Sequence, residues 1–260
     1  MRDGAQIILG AGRYIQTPGA AALTGREAKF FADRAIVAAG ATAWQIAGQQ
    51  VEESLRANGV DFLFHPFSGF CSETTVGAIV RDAESFGARL IIGVGGGKCM
   101  DTVKLAADRL GVRVITVPTS AATCACYATV CIKYDDTGTP DCNEYCRQPV
   151  AAVLVDTDLL ARRCPARMLA AGVADAMAKY PEIDFSIRFV KGWDITIMPV
   201  SALQVAKSNT DKYFADAANA VFRRYHLHES CADGFDLAAV ERQQAACGRT
   251  WPLRRRQQAV

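Results

Sequence analysis

The chain is short of net charge, of histidine and of long apolar runs. Its 29 Lys and Arg against 27 Asp and Glu leave a net charge of +2. That is too near neutral to argue for nucleic acid or a membrane surface as a partner. No apolar run approaches the roughly 18–20 residues that a membrane-spanning helix needs. The N-terminal run Ile7 to Leu9 is too brief for a secretory h-region, so a soluble, cytoplasmic protein is the expectation. Ten cysteines form no pair of CxxC motifs and no Cys₂His₂ spacing. The cluster Cys124, Cys126, Cys131, Cys142, Cys146 can be read as a metal knot, but reduced, packing thiols are the favoured reading. Internal repeats and low-complexity segments are absent. What remains is ordinary globular composition, 50% hydrophobic and 22% charged, in 260 residues: one large or two modest domains.

The most informative stretch is Arg89 to Thr119, RLIIGVGGGKCMDTVKLAADRLGVRVITVPT. A β-type run (Leu90, Ile91, Ile92, Val94) breaks into Gly95-Gly96-Gly97 and re-forms as a helix with Leu105 and Leu110 on its apolar face. A second strand, Val112 to Val117, closes a βαβ unit whose crossover is expected to be right-handed. Such a loop sits at the carboxyl end of its strand, where open α/β sheets bind ligands. Glycines there can adopt positive φ and let backbone N–H groups approach a ligand closely. The helix start near Lys98 to Asp101 adds a positive dipole end and a full charge. The loop is not a Walker A sequence, since six residues before Lys98 lies Ile92 and Cys99 stands where Ser or Thr is required. It is not GxGxxG either, because Lys98 occupies the last glycine position. A tight strand-to-helix turn without a ligand is the competing reading; three glycines exceed what a turn needs.

Elsewhere, strands alternate with helices. Residues 7 to 34 suggest a first strand and a loop. Ala35 to Ala39 reads as a strand, and Ala43 to Asn58 as a helix burying Trp44, Ile46, Val51 and Leu55 and stopped by Gly59. Asp61 to His65 is a strand, and Ser72-Glu73 caps a helix with Val76, Ile79, Val80 and Phe86 inward. The alternation predicts an α/β fold, a Rossmann-like doubly wound parallel sheet. Asp135-Asp136-Thr137-Gly138 marks a turn, so a hairpin follows Tyr134. Ala151 to Val155 is the last buried strand. Thr157 or Asp158 can cap a helix, and Pro165 fits the first turn of another that runs to about Tyr180. The boundary is placed near 157, giving a nucleotide-binding α/β domain at 1–157 and a shortened all-helical domain at 158–260. Residues 200 to 225 look helical, and the basic tail from Arg249 looks frayed. Asp175 lies among Ala, Gly, Val and Met. Packed on all sides, it would need a partner or a cation. On the residues alone, a solvent-facing Asp175 is favoured.

GVGGGKxxDTxK at 93–104, VPTSAATCAxYxxV at 117–130, LVDTDLLA at 154–161 and MLAAGVADAMAKY at 168–180 resemble the iron-containing alcohol dehydrogenase family. The branch is that of glycerol dehydrogenase, and PTSAATCA is most similar to its hydroxycarboxylate dehydrogenase relatives. The resemblance covers about residues 5 to 180. It implies a homo-oligomeric oxidoreductase with NAD or NADP in the α/β domain and a divalent metal, zinc or iron, in a cleft before an all-helical domain. On it, Gly95, Gly96, Gly97 and Lys98 are the pyrophosphate loop and Asp101 its helix start. Thr119 and Tyr134 are further cofactor contacts, and Asp175 is the metal-binding aspartate. Three departures bear on function. Gly40 replaces the ribose-holding aspartate after the first strand, which weakens a preference for NAD over NADP. Cys124 and Ala122 replace a substrate-contacting aspartate and a cofactor serine. That points away from glycerol and towards a small alcohol or a 2-hydroxy or 2-oxo acid. The chain has three histidines, His65, His226 and His228, none at the spacing of the family's two metal histidines. The stretch carrying those is expected to be missing between about Val190 and Phe222. The alternatives are a nucleotide-binding remnant without turnover and a lyase like dehydroquinate synthase, which the PTSAATCA segment fits less well.

Overall fold

The computed structural model describes residues 10–189. The expected helix at 200–225, the basic tail, His226 and His228 lie outside the described residues. Within them, β1 (Tyr14–Thr17), a 3-10 turn (Ala20–Leu23) and α1 (Thr24–Lys29) lead into β2 (Arg34–Ala39), α2 (Ala41–Ala57) and β3 (Asp61–Pro66). Then follow α3 (Glu73–Phe86), β4 (Leu90–Gly95), α4 (Gly97–Leu110) and β5 (Arg113–Pro118). A hairpin of β6 (Val130–Tyr134) and β7 (Pro140–Tyr145) precedes β8 (Ala152–Asp156), α5 (Thr157–Arg163) and α6 (Ala166–Phe189). No helix among the described residues is long and apolar enough to cross a membrane.

Six strands form one parallel sheet in the order β1-β8-β5-β4-β2-β3. Successive strand residues point to opposite faces, and both faces are apolar. Ile36, Ala38, Ile91, Val114, Val153 and Val155 face a core with α3 and α4. Ala35, Val37, Ala39, Leu90, Ile92, Ile115, Val117 and Leu154 face the other core, with α1 and α2. Buried on both sides, these strands read in sequence as continuous apolar runs rather than alternating ones. The doubly wound parallel sheet of the sequence reading is the observed fold.

Chain direction reverses between β2 and β4. After β2 the chain turns outward to β3; after β4 it moves the other way, to β5 and then β8. The crevice at such a switch, at the carboxyl ends of the strands, is where open α/β sheets bind ligands. It is bordered by Gly40, which precedes α2, and Gly96, which precedes α4.

Four local expectations differ from the structure. Trp44 and Ile46 are half-buried rather than core, with Trp44 lying over Phe64 at a ring distance of 4.5 Å. The cap of α5 is Asp156, which accepts from Leu159 N–H at 3.1 Å, and not Thr157 or Asp158. Asp156 also accepts from Gly19 and Ala21 N–H, both at 3.1 Å, so it ties β8 to the 3-10 turn after β1. Finally, α6 does not end near Tyr180 but runs through Pro181 to Phe189. A proline removes one N–H bond and bends a helix, yet the turns on either side can continue.

Candidate nucleotide-binding site

The chemistry-bearing residues gather where β4 becomes α4. Gly96 precedes the helix in an extended conformation (φ −94°, ψ −173°), and no side chain caps the first turn. By contrast, α3 is closed by a capping box of Ser72 and Thr75, and α5 by Asp156. The first N–H groups of α4 therefore face the crevice without a side-chain acceptor, at the positive end of the helix dipole. Such a terminus suits a phosphate. None of Gly95, Gly96 and Gly97 uses the positive φ that glycine allows. What the glycines provide is closeness. A Cβ on Gly95 would lie 3.0 Å from Cys99 Cβ, and one on Gly97 would lie 3.3 Å from Thr123 Oγ1.

The segment after β5 is bolted onto this turn. Thr119 N–H donates to Gly95 O at 2.9 Å, and Ser120 lies beside Gly96. The buried Thr116 hydroxyl donates to Cys126 O at 2.8 Å and holds the far part of the segment under the sheet edge. Cys124, the candidate substrate contact, is exposed on this segment, and its carbonyl accepts from Tyr127 and Ala128 N–H.

Lys98 is exposed at the first turn of α4, with Nζ 3.8 Å from the centre of the Phe70 ring. Phe70 in turn stacks on Tyr134 at 5.6 Å. Phe70 was not singled out from sequence; its signal is only that it precedes the helix cap Ser72. The hairpin tip is docked beside it. Asp136 accepts from the Ser72 and Thr74 hydroxyls, the latter at 2.7 Å, and Gly138 lies against Phe70. Those two hydroxyl donors hold the Asp136 carboxyl below its usual range.

Asp101 is placed differently. One turn into α4 it is buried, with Oδ1 2.9 Å from Lys104 Nζ and Oδ2 accepting from Ile132 N–H at 3.2 Å. Its carboxylate is turned to the hairpin rather than to the glycine turn. Burial pushes the Asp101 carboxyl above its ordinary range, against the pull of Lys104. Lys104, with a side chain only 1% exposed, also donates to Ala128 O (2.8 Å) and Val130 O (2.9 Å). Burial lowers the pKa of Lys104, but the Asp101 carboxylate together with Cys131 and Cys146 leaves that pKa raised. The pair is a peg: α4 holds the end of the Cys124 segment through Lys104 and the hairpin through Asp101.

Asp175 lies on α6, which reaches the site through Gly172. A Cβ on Gly172 would sit 1.8 Å from Ala121 O, so only glycine allows this helix against the Ser120–Ala122 backbone. That segment is the common wall between the glycine turn and α6, and Asp175 follows one turn along the helix. Its side chain is 40% exposed and pairs with Lys179 at 3.3 Å. Among the described residues, no group of three His, Cys, Asp or Glu is arranged to hold a metal ion. A catalytic metal usually has three protein ligands, so these residues by themselves do not fit a zinc or iron ion. His65, the one described histidine, is elsewhere, bonded to Asp82 at 2.6 Å.

The family model for "Iron-containing alcohol dehydrogenase" matches residues 11–156. A glycerol dehydrogenase of Citrobacter freundii is 29% identical over 223 residues, 84% of this chain and 60% of that protein. Hydroxycarboxylate dehydrogenase A of Escherichia coli is 39% identical over 117 residues, 45% of this chain and 32% of that one. The crystal structure of a probable glycerol dehydrogenase from Sinorhizobium meliloti superposes with a TM-score of 0.74 at 26% identity, covering 85% of this chain and 61% of that one. The chain thus spans less than two thirds of the length of each of these proteins.

Proposed function

The chain belongs to the iron-containing alcohol dehydrogenase family, and from that premise we propose that it is an NAD(P)-linked oxidoreductase acting on the CH–OH group of a small 2-hydroxy acid or alcohol. The observation that carries the reading is the bare first turn of α4 at the β2–β4 switch, with Lys98 beside it. The residues present fit a dinucleotide. The N–H groups that follow Gly96 donate to its diphosphate, and the Lys98 ammonium balances the charge. Thr119 fixes the wall of the crevice through Gly95, and Tyr134 closes its flank through Phe70. Such a dinucleotide, when bound, would supply the hydride acceptor or donor for the substrate carbon.

At the end of β2, Gly40 places no carboxylate against the adenosine ribose. A Cβ there would have one neighbour within 4 Å, Phe67 O at 3.7 Å, so the position is open to a 2′-hydroxyl or a 2′-phosphate. Cys124 matters for the substrate. A cysteine at the position where glycerol dehydrogenases carry an aspartate removes that carboxylate's repulsion against a carboxylate substrate. This favours a 2-hydroxy acid over glycerol, in keeping with the hydroxycarboxylate dehydrogenase relative. Asp175 alone makes no metal site, and zinc or iron there needs ligands from outside the described residues. Self-assembly into a homo-oligomer belongs to the same proposal, to be read by light scattering.

The test is turnover of the purified chain with NAD⁺ or NADP⁺, a panel of 2-hydroxy acids and glycerol, in the presence of Zn²⁺ or Fe²⁺. Formation of reduced nicotinamide with a hydroxy acid in preference to glycerol is expected. Nucleotide binding without turnover on any alcohol would overturn the oxidoreductase reading. A nucleotide-binding unit would then remain.

A further inference from the structure

Two thiols that the site does not use lie together at the base of the hairpin. Cys131 is in β6 and Cys146 directly follows β7, and their sulfurs are 3.6 Å apart. The two backbones are already tied side by side: Cys146 N–H donates to Thr129 O at 2.9 Å, and Cys131 pairs across the hairpin with Glu144. Cys131 is fully buried, whereas Cys146 is 6% exposed and lines a narrow cleft of about 10 Å³. Lys104, Asp108, Thr129 and Pro149 are its other walls, and it has room for about one water-sized molecule.

We propose that Cys131 and Cys146 are a peroxide-reactive dithiol that closes to a disulfide and staples the hairpin shut at its base. Cys146 is the attacking member because it has the access, and because the Lys104 ammonium stands in the same cleft wall. The hydrogen bond with Cys131 lowers the pKa of Cys146; burial opposes this, Lys104 reinforces it, and Asp108 and Glu144 act against it. The same hydrogen bond, with burial, pushes the Cys131 thiol up. A small hydroperoxide is the oxidant. The Cys146 thiolate attacks its O–O bond, taking one oxygen as a sulfenic acid and releasing hydroxide or alkoxide. The Cys131 sulfur then attacks Cys146 sulfur, expelling that oxygen as water after losing its own proton. The sulfurs close from 3.6 Å to the ~2.05 Å of a bond by side-chain rotation on strands already paired. Two electrons pass from the thiols to the peroxide, and a thiol reductant reverses the step.

The staple reaches the rest of the molecule through two contacts. Lys104 holds Ala128 O and Val130 O on either side of Thr129, and the hairpin tip docks at Phe70 beside Lys98. The dithiol itself does not depend on what binds at Lys98.

The test uses the reduced full chain exposed to hydrogen peroxide, followed by maleimide blocking of free thiols, digestion and mass spectrometry without reductant. A peptide linked through Cys131 and Cys146, with both residues losing label together and regaining it after dithiothreitol, is expected. Cys146→Ser should leave Cys131 fully labelled, and Cys131→Ser should leave Cys146 stopped at the sulfenic acid, trapped by dimedone. Because the wild-type chain carries the primary readout, poor folding of either variant does not remove it. Oxidation of Cys124 or Cys142 while Cys131 and Cys146 stay labelled after unfolding, or sulfinic acid at Cys146 without the linked peptide, would overturn the proposal.

Discussion

Replacing Lys104 by methionine separates the two parts that Asp101 can be assigned, a cofactor contact or a structural peg. The ammonium is 1% exposed, 2.9 Å from the Asp101 carboxylate and bonded to two carbonyls. Methionine fills the stem's volume but leaves Asp101 an uncompensated buried charge and Ala128 O and Val130 O without their donor. Breaking a buried pair in this way costs about 3–5 kcal/mol, a large share of the roughly 5–15 kcal/mol of a typical domain. With a urea slope of about 2 kcal/mol per molar, the midpoint falls by about 1.5–2.5 M. Equilibrium urea unfolding at neutral pH, read by tryptophan fluorescence, measures it. In the double variant Asp101→Leu/Lys104→Met the orphaned carboxylate is gone, so stability recovers part of the way towards wild type. A loss under about 1 kcal/mol in K104M, or a double variant less stable than K104M, would refute the peg.

Three further outcomes follow from the same contacts. Gly172→Ala puts a Cβ 1.8 Å from Ala121 O; α6 must shift, at a cost of about 1–3 kcal/mol, and proteolysis within 166–189 should speed up, whereas unchanged protection would show that the helix is not seated there. Asp136 has its carboxyl held down by Ser72 and Thr74, so its contribution is present above the unfolded value of about 3.9 and is lost as pH falls through the lower folded value. Asp136→Asn should therefore lower the Tm at pH 7, with the gap to wild type closing below about pH 4; a pH-independent gap would contradict this. Native-state maleimide should label the exposed Cys124 and Cys142 quickly and spare Cys99, whose burial pushes its thiol up to about 12. Equal labelling of Cys99 would contradict its burial.

The sheet was legible because its strands are buried on both faces, and runs such as Leu90 to Val94 have no other reading between glycine and a capped helix. Ser72 showed as a helix start because its capping partner is three residues away. Contacts that cross the chain leave no local mark. Asp156 acts on Gly19 and Ala21, more than 130 positions earlier, so the nearer Thr157 and Asp158 looked like the cap. Asp101 stands at the helix start of the pyrophosphate loop in the family resemblance. Helical geometry turns it instead towards Lys104, and the three-residue spacing of the pair was the available signal. The glycine turn lies between β4 and α4, where the sequence reading has it, and its backbone uses the close packing that glycine permits rather than positive φ. Gly172 looked like one more small residue in an alanine-rich helix, and only the approach of Ala121 O shows what it is for.

On the proposed function, the helix start at Gly96–Lys98, which no side chain caps, holds a dinucleotide's diphosphate. Titrating NADH and NADPH into the full chain, with nicotinamide fluorescence as the readout, tests it directly, alongside Lys98→Glu, which alters an exposed side chain. Saturable binding by wild type that weakens about tenfold or more in the variant, the equivalent of one lost charge-assisted bond, is the predicted result. A flat titration with both nucleotides, or equal affinity in Lys98→Glu, would contradict it.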